Sequence, residues 1–231
     1  MKKQIFIACS VLFTAGMIFM AGCAKNDTSA PTVSLKGSSS MTISLNTTTS
    51  DPGATAKDDE DGDITASVTS DWSTKVDVNL KGTVTVTYSV SDAAGNTGTV
   101  ERTVTVVNDA DFLIGNYGVT ETCQTSPVSP YNASITTSNT QNKIFSISDF
   151  GGFYPNPCTS VYSLAFTISG TSVNSTLSWS GQALCGNATV MGNAAYGSGS
   201  LTNATPSTLS IVYKWDDGTA TEVCTGLYTK K

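Results

Sequence analysis

The sequence of 231 residues contains no histidine, and charged residues make up only 13% of it. Without histidine there is no Ser-His-Asp or Cys-His catalysis, no histidine zinc site and no imidazole pH switch. The net charge of −6 gives no indication of a basic surface for nucleic acid. The abundant residues are instead Ser and Thr, together with Val and Gly, and this composition favours an all-β protein.

Residues 1–22 have the pattern of an export signal. Lys2 and Lys3 precede an almost wholly apolar run that is too short for a confident membrane span. The ending Met20-Ala21-Gly22-Cys23 resembles the lipobox of bacterial lipoproteins. The resemblance implies cleavage before Cys23 and a lipid anchor on Cys23, hence a place in the bacterial cell envelope, with the outer membrane as the expected one. The alternative is a plain secretory signal. Residues 23–30 are predicted to be a polar tether.

The distribution of cysteine and acidic residues divides the rest of the chain in two. The four remaining cysteines all follow residue 122, whereas the acidic residues are concentrated before residue 108. We therefore predict one domain over residues 31–108 and a second over residues 112–231, joined at Asn108–Asp111.

The first domain is predicted to be a small β-sandwich. Residues 83–90 and 99–107 alternate hydroxyl and apolar side chains, as half-buried strands do. Shorter strands are predicted at residues 32–35, 41–45, 54–56, 64–68 and 75–78. The ordered motifs Asp51-Pro52-Gly53, Asp58–Thr65, Gly82–Tyr88, Asp92–Asn96 and Arg102–Val106 resemble the bacterial immunoglobulin-like domain of surface proteins, adhesins and one class of insecticidal crystal toxin. The resemblance implies a spacer or binding module without catalysis.

An acidic loop is the sharpest local feature of this domain. Five carboxylates crowd around Gly62, and calcium prefers such oxygen ligands. An EF-hand is excluded because Lys57 and Val68 would occupy its first and twelfth positions, where acidic ligands are required. Calcium at one pole of the sandwich is one hypothesis, and a solvated acidic turn without metal is the other; no other cofactor is predicted. The calcium ligands would come from Asp58, Glu60, Asp61, Asp63, Asp92 and Asn96.

The second domain is predicted to be an antiparallel β-barrel or a meandering sandwich. About eight or nine strands are separated by hairpin-like breaks such as Ser169-Gly170-Thr171 and Asp216-Asp217-Gly218. Gly115-Asn116-Tyr117 loosely resembles the start of lipocalin-like barrels. The overall prediction is an all-β chain, an immunoglobulin-like β-sandwich followed by a disulfide-bonded antiparallel β-barrel or meander.

An exported chain meets an oxidising compartment, so the four late cysteines are expected to form two disulfides. Three pairings are possible. We favour Cys123–Cys224, because the first and last strands of a closed barrel are neighbours, and Cys158–Cys185 by remainder.

The predicted function is non-enzymatic binding of a surface glycan, matrix or small apolar ligand. Phe150, Phe153 and Tyr154 occur in a Gly- and Pro-rich loop, and Trp179 could add to the same surface. The alternative is that these rings plug the barrel end or fill its core. Two rival functions are docking to another envelope protein and glycan hydrolysis, which can use two carboxylates, here Glu121 and Glu222.

Overall fold

A computed structural model describes residues 27–125, 128–152, 163–169, 176–178, 182–183, 189–191, 199–202, 208–216 and 221–231. Within these residues two small sheets are followed by one large antiparallel sheet, which confirms the all-β fold class. No helix of this described part of the chain is long and apolar enough to cross a membrane.

The N-terminal sandwich is formed by seven strands in two sheets. The first sheet contains β1 (Thr32–Leu35), β3 (Ala54–Asp58) and β4 (Gly62–Asp63), and the second contains β2 (Ser40–Ser44), β5 (Thr69–Ser70), β6 (Gly82–Ser91) and β7 (Thr97–Val107). The hairpin of β6 and β7 is the longest element, and β2 pairs parallel to β7. Its inward side chains alternate with outward ones, so that Val86, Tyr88 and Val104 form the buried core.

Two strands that the alternation predicted, at residues 64–68 and 75–78, are wrong. The chain instead forms a 3-10 helix over Thr65–Ser67 and one short α-helix, α1 (Trp72–Lys75). Thr65 explains the first difference, because its hydroxyl exchanges hydrogen bonds with the backbone of Ala56. The carbonyl of Asp71 similarly accepts the backbone N–H groups of Thr74 and Lys75. Local bonds of this kind compete with strand pairing.

A buried arginine connects the two sheets of the sandwich. The Arg102 side chain is 1% exposed, donates to the carbonyl oxygens of Lys36 and Gly53, and lies over the ring of Tyr88. The Tyr88 hydroxyl in turn donates to Asp51. Burial alone would raise the pKa of Asp51, but hydrogen bonds from Tyr88, Gly53 and Ser70 and the charge of Arg102 bring it below its ordinary value. Burial and Asp51 raise the pKa of Tyr88 to about 12.

The C-terminal sheet closes on itself as an antiparallel barrel. The described residues form ten strands of this sheet, and eight of them each pair with two neighbours in a ring. Their order is β8 (Gly115–Cys123), β9 (Tyr131–Thr137), β10 (Ile144–Ser148), β11 (Ser163–Ser169), β12 (Thr176–Ser178), β15 (Gly199–Thr202), β16 (Thr208–Asp216) and β17 (Thr221–Lys230). The hairpin of β13 (Gln182–Ala183) and β14 (Thr189–Met191) pairs with the last residues of β16.

A disulfide crosses the seam where the first and last barrel strands meet. Cys123 on β8 lies directly opposite Cys224 on β17, and the two are bonded, as the sequence argument favoured. The second predicted pair, Cys158 and Cys185, lies outside the described residues. β17 then runs back towards the start of β8, where the backbone N–H of Lys231 donates to the carbonyl of Asn116.

The sandwich and the barrel meet at a hydrogen-bonded joint. The buried amide of Asn108 donates to the carbonyl oxygens of Ser138, Gln141 and Ile144, which belong to the turn between β9 and β10. Asp109 and Asn142 exchange two further hydrogen bonds. A salt bridge supports the same contact, since the Lys81 ammonium lies 2.7 Å from Asp111 and 2.8 Å from the Thr137 hydroxyl. These bonds fix which end of the barrel faces the sandwich.

The Tyr88–Asp51 hydrogen bond predicts an acid-dependent part of the stability. Because the pKa of folded Asp51 is lowered, its contribution is present above the unfolded pKa of about 3.9 and is lost as the pH falls through the folded value. Tyr88→Phe should lower the free energy of unfolding at pH 7 by about 2 kcal/mol and by less at pH 3, measured by urea unfolding. A Thr85→Ala control on the same strand should leave the pH dependence unchanged. An equal loss at both pH values in Tyr88→Phe would contradict this account.

The seam disulfide predicts a large loss of stability when both cysteines are replaced. Cys123 and Cys224 are 101 residues apart in sequence, so their bond removes roughly 4–5 kcal/mol of chain entropy from the unfolded state. Cys123→Ala/Cys224→Ala should lose most of this free energy of unfolding in denaturant titrations. A loss of less than about 1 kcal/mol would show that strand pairing alone holds the seam.

Candidate functional site

The barrel has a joint end and a distal end, and the strand directions define both. The joint end contains the start of β8 and the turn from β9 to β10, which the Asn108 amide binds. β10 runs away from the joint for five residues, about 13 Å between its first and last Cα atoms, before the connection 149–162 begins. β16 also ends away from the joint, so the connection 217–220 leaves the same distal end.

Phe150 lies in the barrel core, so its predicted place on an exposed binding surface is wrong. The Phe150 side chain has no exposed area, and its ring centroid lies 4.6 Å from that of Tyr213 and 6.4 Å from that of Tyr228. The next backbone N–H, of Gly151, donates to the hydroxyl of Tyr131. Large aromatic surfaces gain free energy by leaving water, so this ring plugs the interior, as the alternative interpretation of the loop supposed.

Glu121 and Glu222 are both buried in the barrel wall but do not lie side by side. In the antiparallel ladder Cys123 faces Cys224, so Glu121 faces Gly226 on one side of the disulfide and Glu222 lies on the other. The Cα atoms of Gly226 and Glu222 are therefore about 13 Å apart along β17. Glu222 accepts hydrogen bonds from the backbone and hydroxyl of Thr125. Burial raises the pKa of Glu121, and hydrogen bonds from the hydroxyls of Tyr213 and Tyr131 partly offset this rise.

This arrangement removes the sequence argument for a paired-carboxylate hydrolase. The two residues each precede a cysteine by two positions, which suggested proximity across the seam. Antiparallel pairing places such residues on opposite sides of the bridge, because the two strands run in opposite directions. The sulfur atoms of the bridge lie within 4.8 Å of a Glu222 oxygen, but both are consumed in the disulfide and offer no thiolate to a metal.

The acidic loop forms the β3–β4 hairpin at one pole of the sandwich, and the β6–β7 turn shares that pole. Asp61 connects the two loops, because its carboxylate accepts the backbone N–H of Ala93 at 2.6 Å. This places Asp92 beside Asp58, as the calcium hypothesis required. Asn96 completes the turn, with its backbone N–H donated to Asp92.

Three carboxylates converge at this pole. One oxygen from each of Asp27, Asp58 and Asp92 lies within 4.8 Å of the other two. Asp58 is 3% exposed; its Oδ1 accepts the backbone N–H groups of Glu60 and Asp61, whereas its Oδ2 has no hydrogen-bond partner among the described residues. We call Asp27, Asp58 and Asp92 the pole cluster.

The pKa of Asp92 is lowered by the hydrogen bonds that its carboxylate accepts. Its partial burial would raise its pKa, but hydrogen bonds from the Asn96 side chain and from the backbone of Asn96, Gly95 and Ala94 outweigh that effect and hold the pKa below its ordinary value. These hydrogen bonds favour the charged form of the Asp92 carboxylate.

The other predicted metal ligands have separate positions. The Asp63 carboxylate accepts hydrogen bonds from Thr65, which lower its pKa. Asp61 is taken by the bond to Ala93, and Glu60 is exposed on the hairpin. The Asn96 amide donates to the Asp92 carboxylate at 2.8 Å and to the backbone carbonyl of Asp27 at 3.2 Å. Asn96 thus positions the cluster.

Asp27 was missed because it belongs to the segment interpreted as a flexible tether. Only its single negative charge marked it in the sequence, and no spacing connects it with residues 58–96. The segment is docked by Pro31, a buried residue whose carbonyl contacts Gly98 so closely that a Cβ at Gly98 would overlap with it. Glycine at position 98 is therefore required by this approach.

Several predicted residues lie outside the described residues. They are the lipid-bearing Cys23, the cysteines Cys158 and Cys185, and the aromatic residues Phe153, Tyr154 and Trp179.

An open groove of about 880 Å³ runs along the outer face of β1 and β3 beside the acidic hairpin. Its lining is made of hydroxyl, acidic and small side chains, and it includes Asp58 and Lys57. None of the residues that line it is aromatic, so it offers no ring on which a sugar could stack.

Comparison with solved structures gives similarities of low score. A lipoprotein from Bacteroides thetaiotaomicron is 19% identical, with a TM-score of 0.31, over 87% of this chain and 100% of that one. Two structures from Clostridium perfringens ZmpB also match. One contains CBM51-2 in complex with GlcNAc and INT domains, at 19% identity and TM-score 0.27, over 85% of this chain and 43% of that one. The other contains the M60 catalytic domain with CBM51-1 and CBM51-2, at 18% identity and TM-score 0.28, over 86% of this chain and 21% of that one.

TM-scores this low do not indicate a shared function. This chain spans less than half the length of either ZmpB structure. No curated protein matches the chain significantly. The family model described as bacterial surface protein, Ig-like domain, matches residues 33–106, about a third of the chain. The sandwich is therefore similar to the Ig-like domain of bacterial surface proteins, as its motifs suggested, and this similarity indicates a location in the cell envelope.

Proposed function

We propose that this chain is a lipid-anchored, non-enzymatic binding protein of the bacterial cell envelope, with the outer membrane as its membrane. The sandwich serves as a spacer, and the distal end of the barrel contacts the ligand. The observation that carries the proposal is the joint at Asn108, which orients the barrel with its distal end pointing away from the sandwich.

The hydrogen bonds of Asn108 hold the barrel firmly against the sandwich, and this supports a fixed orientation of the distal end. The Asn108 side chain uses both amide hydrogens and its oxygen, donating to three carbonyls and accepting from the backbone of Ala110 and Lys143. Breaking such a buried set would leave several polar groups without partners, which is costly. The barrel and the sandwich are therefore expected to move as one body.

The sequence of the distal connections supports a ligand with flat apolar faces. Phe153 and Tyr154 belong to the connection 149–162, which leaves the distal end of β10. Aromatic rings suit the faces of sugars, so a surface glycan is the preferred ligand class.

The distal-end proposal predicts that two aromatic residues dominate binding. The full chain should be screened for glycan binding alongside Phe153→Ala/Tyr154→Ala. Each aromatic contact contributes about 1 kcal/mol, so the double variant should bind a hit glycan at least roughly tenfold more weakly. The expected Kd change is to be measured by calorimetry, with the circular dichroism spectrum unchanged.

Leu227→Ala is the matched control, because Leu227 is an exposed apolar residue on the barrel wall, 44% exposed, within β17. It should bind as the unaltered chain does. Equal affinity of the double variant and the unaltered chain would remove the distal connections from the binding site. Absence of any glycan ligand, together with capture of one defined envelope protein that the double variant loses, would replace the glycan with a protein partner.

A further inference from the structure

We propose that the pole cluster of Asp27, Asp58 and Asp92 binds one divalent cation, calcium by its chemistry, and that this cation ties the N-terminal tether to the Ig-like sandwich. The inference concerns the sandwich and does not depend on what the barrel binds.

One oxygen of the buried Asp58 carboxylate lacks a hydrogen-bond partner among the described residues. A carboxylate that is 3% exposed ordinarily has each oxygen hydrogen-bonded, because an unsatisfied buried charge is costly. Here Oδ1 is held by two backbone N–H groups, and Oδ2 has no partner among the residues that the structure describes. A carboxylate oxygen accepts only from a donor or a cation, and the neighbouring side chains of the cluster are also carboxylates. A cation satisfies all three at once.

The spacing of the three carboxylate oxygens fits one calcium ion. Calcium binds oxygen at about 2.3–2.6 Å, so two oxygens on opposite sides of one ion are about 5 Å apart at most. The three carboxylate oxygens lie within 4.8 Å of each other and fit into one such shell. Three carboxylates also supply the hard anionic ligands that calcium prefers, and water would complete its usual six to eight positions.

Hydrogen bonds already hold the three carboxylate ligands in place. Asp58 is fixed by the turn that follows it, and Asp92 by the bonds from Asn96. Asp27 is positioned from both sides, since Asn96 binds its carbonyl and its own Oδ1 accepts the N–H of Ser29. Preorganised ligands lower the entropy that binding must remove.

The position of Asp27 gives the cation a consequence beyond stability. Asp27 is four residues after the predicted lipid-bearing Cys23, and the other two ligands belong to the β3–β4 hairpin and the β6–β7 turn. A bound ion therefore connects the tether with both loops of the pole. In the lipid-anchored protein proposed above, calcium would hold the chain from Asp27 onward against the sandwich.

The binding test is calcium titration of the full chain, freed of metal by chelation. We expect a Kd of about 0.1–1 mM, the range of extracellular calcium modules, and a rise in Tm on adding calcium. Asp58→Asn, Asp92→Asn and Asp27→Asn keep the side-chain oxygens that bind backbone N–H groups but remove one negative charge. Each should weaken calcium binding at least tenfold. Magnesium at the same concentration should bind more weakly.

Asp59→Asn is the matched control, because it removes one charge from the same exposed hairpin without touching the cluster. It should leave the Kd for calcium within about twofold. If Asp59→Asn weakens binding as much as Asp58→Asn, the attraction is a diffuse property of the acidic loop and the site is refuted. Absence of calcium binding up to 10 mM refutes it as well.

The tether is tested separately by proteolysis. Lys25 is two residues before Asp27, and endoproteinase Lys-C cleaves after it. Calcium should slow this cleavage at least fivefold in the unaltered chain and leave it unchanged in Asp27→Asn. Calcium binding without any change in the cleavage rate would contradict the connection to the tether.

Discussion

The Asn108 amide is the contact on which the arrangement of the whole chain depends. Asn108 comes directly after β7, and its amide donates hydrogen bonds to three carbonyl oxygens between the end of β9 and the start of β10. One buried side chain thereby fixes which barrel end is covered by the sandwich and which remains open. That orientation also decides which connections lie away from the sandwich, because up-and-down strands place their connections alternately at the two ends. Lys81, Asp111 and Thr137 surround this contact with charge-assisted hydrogen bonds.

Much of this fold could be predicted from the sequence, because its long strands follow period two. β6 and β7 alternate over ten and eleven residues, and nothing local competes with their pairing. In residues 64–68 and 75–78, backbone N–H groups donate instead to nearby carbonyl oxygens, which forms the 3-10 turn and α1. The Cys123–Cys224 pair was predictable because a closed sheet leaves its terminal strands as neighbours. The prediction that Glu121 and Glu222 lie close together across the seam was wrong. Each lies two residues before a bridged cysteine, but antiparallel pairing places them on opposite sides of the disulfide.

The candidate site was only partly predictable for a different reason. Asp58 and Asp92 belong to loops whose common pole depends on the number of strand crossings between them, and the sequence left that number open. Asp27 belongs to neither loop and is brought in by the packing of Pro31 against Gly98. Phe150 was assigned to the binding surface because it is an aromatic residue of the same loop as Phe153 and Tyr154. The 3-10 turn that begins at Phe150 directs this ring inward onto Tyr213 and Tyr228, and no local pattern distinguishes it.

The last strand has a consequence for how the molecule can be handled. β17 runs from the distal end back to the joint, and the backbone of Lys231 is bonded to Asn116 at the beginning of β8. A fluorescent protein or affinity handle fused after Lys231 would therefore emerge beside the sandwich, at the joint end of the barrel. Such a fusion would leave the distal end uncovered, whereas an insertion between β16 and β17 would project from the distal end.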